Sequence, residues 1–307
     1  MNVTFDDLLS TGAHFGHVIR KWNPNYRPYI LMSKNGIHII NLDETLKELS
    51  KAVDYITEVV HAGGEVLFVG TKKNAMDIVQ QEADKCGMFY VVERWLGGTL
   101  TNFTTIRKSI KRLHVLEKES GALFENATKK ELLSLDRERL KLQDLHRGIK
   151  DMKRLPDVLI IVDGNNEHIA VNEAKVLNIP IVAVVDTDTD PRSIDYPIPA
   201  NDDSIRAVKL IVSELSRAVC HAKSMEYPSD EEVVKETEEE TEVEVKVDEP
   251  ASEEKEELTE VSNAQEEQGD HKEEIVEEKV EKGTSENDEE TDDDNPNNKE
   301  EEIIEEA

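Results

Sequence analysis

Cysteine is almost missing from this chain: Cys86 and Cys220 are the only two in 307 residues, and they form no paired motif. A disulfide framework or a cysteine-based zinc site is therefore not expected, and a reducing cytosol is the expected setting. Long apolar runs are missing as well. With no stretch of about eighteen apolar residues, neither a transmembrane helix nor a membrane partner is expected. The opening MNVTFDDLLS has acids where a signal peptide carries a basic flank, so no secretory leader is expected. No repeat period of a solenoid or coiled coil is present. Aromatic residues make up 5% of the chain, and none follows Tyr227.

What is abundant is acid. The chain holds 68 Asp and Glu against 37 Lys and Arg, a net charge of −31. Almost all of the excess lies at one end: residues 229–307 contain 36 acids and 7 lysines, with 15 Ala, Val, Ile or Leu. Such a segment buries too little to offset the entropy of ordering, so a disordered acidic tail is expected from 229. Residues 1–228 are nearly neutral and long enough for one domain with a sizeable core. Charge is uneven there too. Leu8–Leu42 has no acid but holds Arg20, Lys21, Arg27, Lys34 and three histidines. Arg94–Arg154 carries 15 basic residues against 8 acids. Two basic zones on a neutral body are either solvated faces or the electrostatic footprint of a polyanion.

The apolar pattern alternates between helix and strand. Leu46, Leu49, Val53 and Ile56 mark one helix face, opened by Asp43 and closed at Gly63-Gly64. Val66–Val69, Phe89–Val92, Val158–Val162 and Ile181–Val185 are continuous apolar runs, read as buried strands. Helices are predicted over Thr71–Lys85 and Glu167–Leu177, and from Ile205 to Val219 behind an Asn201–Ser204 cap. Buried strands separated by helices predict a doubly wound parallel sheet covered on both faces. Pro28–Asn41 reads as a β-hairpin turning at Asn35-Gly36. Between the second and third core strands the alternation fails. Phe103, Ile106, Ile110 and Leu113 mark one helix, and a Thr128-x-x-Glu131 capping box opens another. A protruding helical hairpin over about 102–150 is expected.

Several motifs suggest chemistry. Gly70-Thr71-Lys72-Lys73 follows the first core strand, where backbone N–H groups can cradle phosphate, yet the second glycine of a Walker loop is absent. Asp186-Thr187-Asp188-Thr189-Asp190 sits at the sheet edge where such folds bind ligands. It would suit a hard cation or an aspartyl nucleophile, or simply a self-bonded turn. Gly70, Asp163 and Asp186 together would form the edge of a small-ligand or phosphate-ester enzyme. His14-x-x-His17 lacks third and fourth metal ligands nearby, and a polar or RNA-facing pair is the simpler reading. No cofactor motif is present. Two stretches instead mix cations with planar rings: residues 17–29, with Arg20, Lys21, Trp22 and Arg27, and residues 94–102, with Arg94 and Trp95. Cations neutralise phosphates and exposed rings stack on unpaired bases, while Trp22 and Trp95 are equally suited to core packing.

Read in order, these residues resemble one family. His14-Phe15-Gly16-His17, Trp22-Asn23-Pro24, Phe68–Lys73 and Arg94–Asn102 are similar to the ribosomal protein S-two family of the bacterial small subunit. So are Pro156-Asp157, Asp163, Glu173-Ala174, Asn178–Pro180, Asp186-Thr187, Asp190-Pro191 and Ile198–Asp203, and the likeness covers about Val3–Met225. Asp188 departs from the asparagine common at that position. The resemblance implies a flavodoxin-like α/β domain with a helical hairpin and a non-catalytic role, and it weakens the metal and phosphatase readings of the aspartate turn. It also implies a place in the cytoplasmic small ribosomal subunit near the junction of head and body. The implied partners are small-subunit ribosomal RNA and neighbouring ribosomal proteins, including ribosomal protein S-one, whose docking the family supports. Arg20, Lys21, Arg27, Lys72 and Lys73 are then expected at phosphates, with Arg94, Arg107, Lys108, Lys111 and Arg112 around the hairpin base and Trp22 and Trp95 at bases.

Overall fold

The computed structural model describes residues 2–118 and 128–228. The tail expected to be disordered, 229–307, lies outside the described residues.

The chain opens with α1 (Phe5–Ser10), then β1 (Phe15–Val18), β2 (Ile30–Lys34) and β3 (Ile37–Ile40), which form a small antiparallel sheet in the order β1-β3-β2. The predicted hairpin is β2–β3. Its turn places Asn35 at φ 54° and Gly36 at φ 79°, the left-handed pair that a two-residue hairpin turn requires. β1 was not legible as a strand, because its four residues mix aromatic, glycine and histidine.

The main body runs α2 (Leu42–His61), β4 (Val66–Val69), α3 (Met76–Lys85), β5 (Phe89–Val91), α4 (Phe103–Lys118), α5 (Lys129–His146), β6 (Val158–Val162), α6 (His168–Val176), β7 (Ile181–Val185), β8 (Tyr196–Pro199) and α7 (Ile205–Ala222). The five core strands are parallel and ordered β5-β4-β6-β7-β8. Renumbered within the sheet this is 2-1-3-4-5, the flavodoxin-like order. Successive strand residues supply the two faces alternately. Val66, Phe68, Val158, Ile160, Val162, Val182 and Val184 pack with α2, α3 and α7. Leu67, Val69, Leu159, Ile161, Ile181, Ala183 and Val185 pack with α6, the start of α4 and Tyr26 of the N-terminal segment. Double-sided burial explains why these strands are unbroken apolar runs; each large side chain so buried contributes roughly 1.5–3 kcal/mol.

Two expectations need correction. α2 is capped by Asn41, whose side chain accepts from the Asp43 N–H, so Asp43 lies inside the first turn, where its charge suits the helix dipole. α3 starts at Met76, five residues after the predicted Thr71, because residues 71–75 form turns that tie Lys72 and Thr71 to other loops. β8 carries Pro197 and Pro199, which conceal a strand in sequence; it pairs only with β7 at the sheet edge, where proline is tolerated. The helical hairpin stands as expected: α4 and α5 follow β5, and Thr128 and Glu131 close a reciprocal capping box at the start of α5.

Candidate nucleic-acid interface

The C-terminal ends of β4, β6 and β7 carry the loops where a fold of this order ordinarily binds ligands. Here the chain fills that crevice with its own groups. The Thr71 N–H donates to Glu167 Oε1 at 3.2 Å and the Thr71 hydroxyl donates to the same oxygen, so the turn that could cradle phosphate holds a carboxylate already. Burial pushes the Glu167 carboxyl upward against these bonds. Lys72 Nζ lies 2.6 Å from Asp203, 2.8 Å from Asp202 and 3.5 Å from Asp163. Burial opposes its charge, but the hydrogen bonds to Asp202 and Asp203 outweigh it and raise the ammonium above its ordinary value. Asp202 is buried; that burial, with Asp163 nearby, lifts its carboxyl to about 7 despite Lys72. Lys72, expected at a phosphate, thus has its charge matched within the chain by three carboxylates.

The aspartate turn after β7 is similarly committed. Asp186, 1% exposed, accepts from the Thr187 N–H at 2.5 Å and faces His17 Nδ1 at 2.8 Å. That contact with the Asp186 carboxylate holds the His17 imidazole up to about 9, against partial burial. The His17 N–H donates to Thr187 Oγ1 at 2.9 Å, and the Asn23 N–H to the Thr187 carbonyl at 2.7 Å. Asn25 Nδ2 donates to Asp190 at 3.0 Å, and the Tyr26 hydroxyl to the Val185 carbonyl at 2.9 Å. Gly16 permits the approach, because a Cβ there would lie 2.6 Å from Thr187 Cγ2. The turn thus clamps the N-terminal segment onto the sheet edge. Among the described residues no group of three His, Cys, Asp or Glu is arranged to hold a metal ion.

Clamped in this way, the segment turns its cations outward. Arg20 and Lys21 lie in the short 3-10 turn Ile19–Lys21 and Arg27 in the turn Pro24–Tyr29; all three are exposed. Trp22 is half-buried, its ring tilted against His38 with 4.9 Å between centroids.

The second basic zone is organised by Glu173 on α6. Its Oε1 accepts from Trp95 Nε1 at 3.1 Å and the Gly98 N–H at 2.8 Å. Its Oε2 accepts from the Leu100 N–H, the Thr101 N–H and the Thr101 hydroxyl, each at 3.0 Å. Burial would raise this carboxyl, but the backbone donors at Thr101 and Gly98 outweigh it and hold it below the usual range. Trp95 is 6% exposed and belongs to the core. The ring expected at a base is thus covered, and its N–H fixes the loop. Arg94 stays exposed beside it.

α4 leaves that loop with Ile106, Ile110, Leu113 and Leu116 buried, and Arg107, Lys108, Lys111 and Arg112 on the exposed side. Arg112 reaches Glu138 of α5 with two bonds, at 3.0 and 3.1 Å, so it braces the hairpin. At the hairpin base a cleft of about 250 Å³ is lined by Arg107, Lys111, His114, Lys150 and Lys153, with Asp151 the acid among them. Lys150 is paired with Glu117 at 2.7 Å. Lys150, Lys153 and His114 were not singled out from sequence; the charge excess of residues 94–154 was the signal that held them. Arg20, Lys21, Arg27, Lys73, Arg94, Arg107, Lys108 and Lys111 are exposed and form no ion pair with another described residue.

The family model described as Ribosomal protein S2 matches residues 8–222. The chain belongs to that family. It is accordingly a structural protein of the small ribosomal subunit. The match spans the clamped N-terminal segment, the sheet, the helical hairpin and α7, and the acidic tail falls beyond it. No helix among the described residues is long and apolar enough to cross a membrane.

Proposed function

We propose that this chain binds small-subunit ribosomal RNA through the two basic zones near the junction of head and body, as a non-catalytic member of the subunit. The observation that carries the proposal is the division among its cations. Lys72 at the sheet crevice is matched to carboxylates, whereas eight exposed cations on the N-terminal segment, the β4 and β5 loops and α4 are without an acidic partner among the described residues. Phosphates supply the missing countercharge, and the cleft at the hairpin base accepts a phosphodiester backbone by shape and charge. Trp22, half-exposed beside these cations, is the ring placed to stack on an unpaired base. The enzyme reading of Gly70, Asp163 and Asp186 loses support because the Asp163 and Asp186 carboxylates and the Thr71 N–H beside Gly70 already have partners within the chain.

We further propose that neighbouring ribosomal proteins, ribosomal protein S-one among them, dock on the small sheet. Val18, Ile19, Leu31 and Met32 are exposed there, Leu31 by 59% and Met32 by 54%, and apolar groups at an open sheet suit a protein partner. The folded body through about residue 228 makes these contacts and the acidic tail none, since like charge repels the RNA.

The test is incorporation. In sedimentation of a lysate, wild-type protein travels with small subunits, while an Arg107→Glu, Lys108→Glu, Lys111→Glu variant stays near the top of the gradient with its fold intact. Equal incorporation of the two would remove the hairpin contact. Leu31→Asp with Met32→Asp keeps the RNA contact and lowers the occupancy of the neighbouring proteins; unchanged occupancy would remove the protein-docking reading.

A further inference from the structure

α5 ends in a buried histidine. His146 is 1% exposed, and its Nε2 shares a 2.8 Å hydrogen bond with the Ser109 hydroxyl of α4. Its Nδ1 is buried without a hydrogen-bond partner among the described residues. A neutral imidazole leaves one ring nitrogen idle there, whereas an imidazolium adds a buried N–H and a charge with nothing to meet them. The charged groups on the surrounding elements are engaged elsewhere or face solvent. Arg112 is held by Glu138, Arg147 by Glu93 and Lys150 by Glu117, while Lys108 and Asp144 are exposed. Burial accordingly lowers the His146 imidazole below its ordinary value, and no carboxylate opposes the effect.

The place of this bond gives it leverage over the basic cleft. Arg107 and Lys111 stand two residues either side of Ser109, about 200° round the helix from it, and line the cleft from α4. Lys150 and Lys153 follow His146 closely in the chain and line the cleft from the other segment. The Ser109–His146 bond therefore ties the two cleft-forming segments together behind the cleft. We propose that neutral His146, bonded to Ser109, is the positioning residue that fixes the width of this cleft, and that protonating it opens the cleft and weakens RNA binding. This rests on the RNA contact proposed above for the cleft; His146 itself touches no RNA. Because the folded arm prefers the neutral ring, the stabilisation is complete above about pH 6.5 and is lost as pH falls below it, the reverse of the His17 clamp. His114, 3.6 Å from Glu117 in the cleft, is retained in every variant below, so its effect cancels in the comparison.

The test uses the full-length protein, with small-subunit ribosomal RNA as the probe at constant low salt. Between about pH 7.5 and pH 5.5 the wild type loses about tenfold in affinity, whereas His146→Gln, whose neutral amide still bonds Ser109, loses under about threefold. Ser109→Ala, which lacks the bond at every pH, binds at about pH 7.5 as weakly as the wild type does at about pH 5.5. Core amides of β6 and β7 keep their shifts in both variants. In the free protein, imidazole nitrogen shifts show His146 neutral at about pH 6.5. A ring mostly protonated at that pH, or equal pH profiles for wild type and His146→Gln, overturns the inference alone and leaves the RNA contact standing. No binding by the wild type at about pH 7.5 overturns the RNA contact and the inference with it.

Discussion

His17 shows how one side chain links pH to the fold. Its imidazole rises from 6.5 to about 9 through Asp186. A raised value means that the stabilisation is complete below about pH 6.5 and is lost as pH rises through 9. Asp202, raised from 3.8 to about 7 chiefly by burial, acts in the same direction at lower pH: it favours the fold below about 4 and stops doing so as pH passes 7. Urea denaturation should therefore show stability declining from about pH 5 to pH 9, and His17→Gln should flatten the upper part, between 6.5 and 9, by roughly 1–3 kcal/mol. An unchanged slope there would mean that the clamp does not depend on the charged imidazole. Glu173 acts in the opposite direction. Its carboxyl is held low, so its contribution is lost as pH falls below the usual glutamate range. Glu173→Ala leaves the donors at Trp95, Gly98, Leu100 and Thr101 without their acceptor, at a cost of about 3 kcal/mol. The matching sign is a red shift of indole fluorescence as Trp95 gains water. Neither role was legible in sequence, because Glu173 stands 72 to 78 residues from the groups it gathers.

At the scale of elements, legibility followed burial. β4, β6 and β7 are covered on both faces and read as apolar runs, and α7 shows its buried stripe at the helical period. β8 is an edge strand in which proline interrupts no second ladder, so composition concealed it. The hairpin was legible for a different reason: its start carries a local signal, the Thr128–Glu131 box, that needs no tertiary context. That locality gives a prediction. Thr128→Ala removes the cap and costs about 1 kcal/mol. Hydrogen exchange should speed up in the first turns of α5 and stay unchanged in β6. Faster exchange in both would show that the hairpin and sheet unfold as one unit. The candidate interface was legible as zones of charge, not as residues. Sequence cannot show that Lys72 meets aspartates 91 to 131 positions away while Lys73 next to it stays outside the cluster.

For the whole molecule, net charge is a poor guide to partner. A chain at −31 is proposed to bind a polyanion because its acid and base occupy different regions. RNA binding should weaken steeply with salt, and each lost phosphate contact should reduce the log–log slope by about 0.7–0.9. Lys111→Ala tests one such contact; a slope equal to wild type would place that lysine away from the RNA.

Gly148 has a consequence for aim. It lies where the hairpin rejoins the body, and a Cβ there would lie 2.2 Å from the Tyr90 carbonyl oxygen and 2.5 Å from its ring. The absent side chain lets the arm seat flush on its pedestal. α5 is ~27 Å long, so a tilt of about 10° at this pivot swings its distal end by roughly 5 Å, more than a hydrogen bond can follow. Gly148→Ala should therefore leave the body folded and the cations of the arm in place along the helix, yet point them past their target.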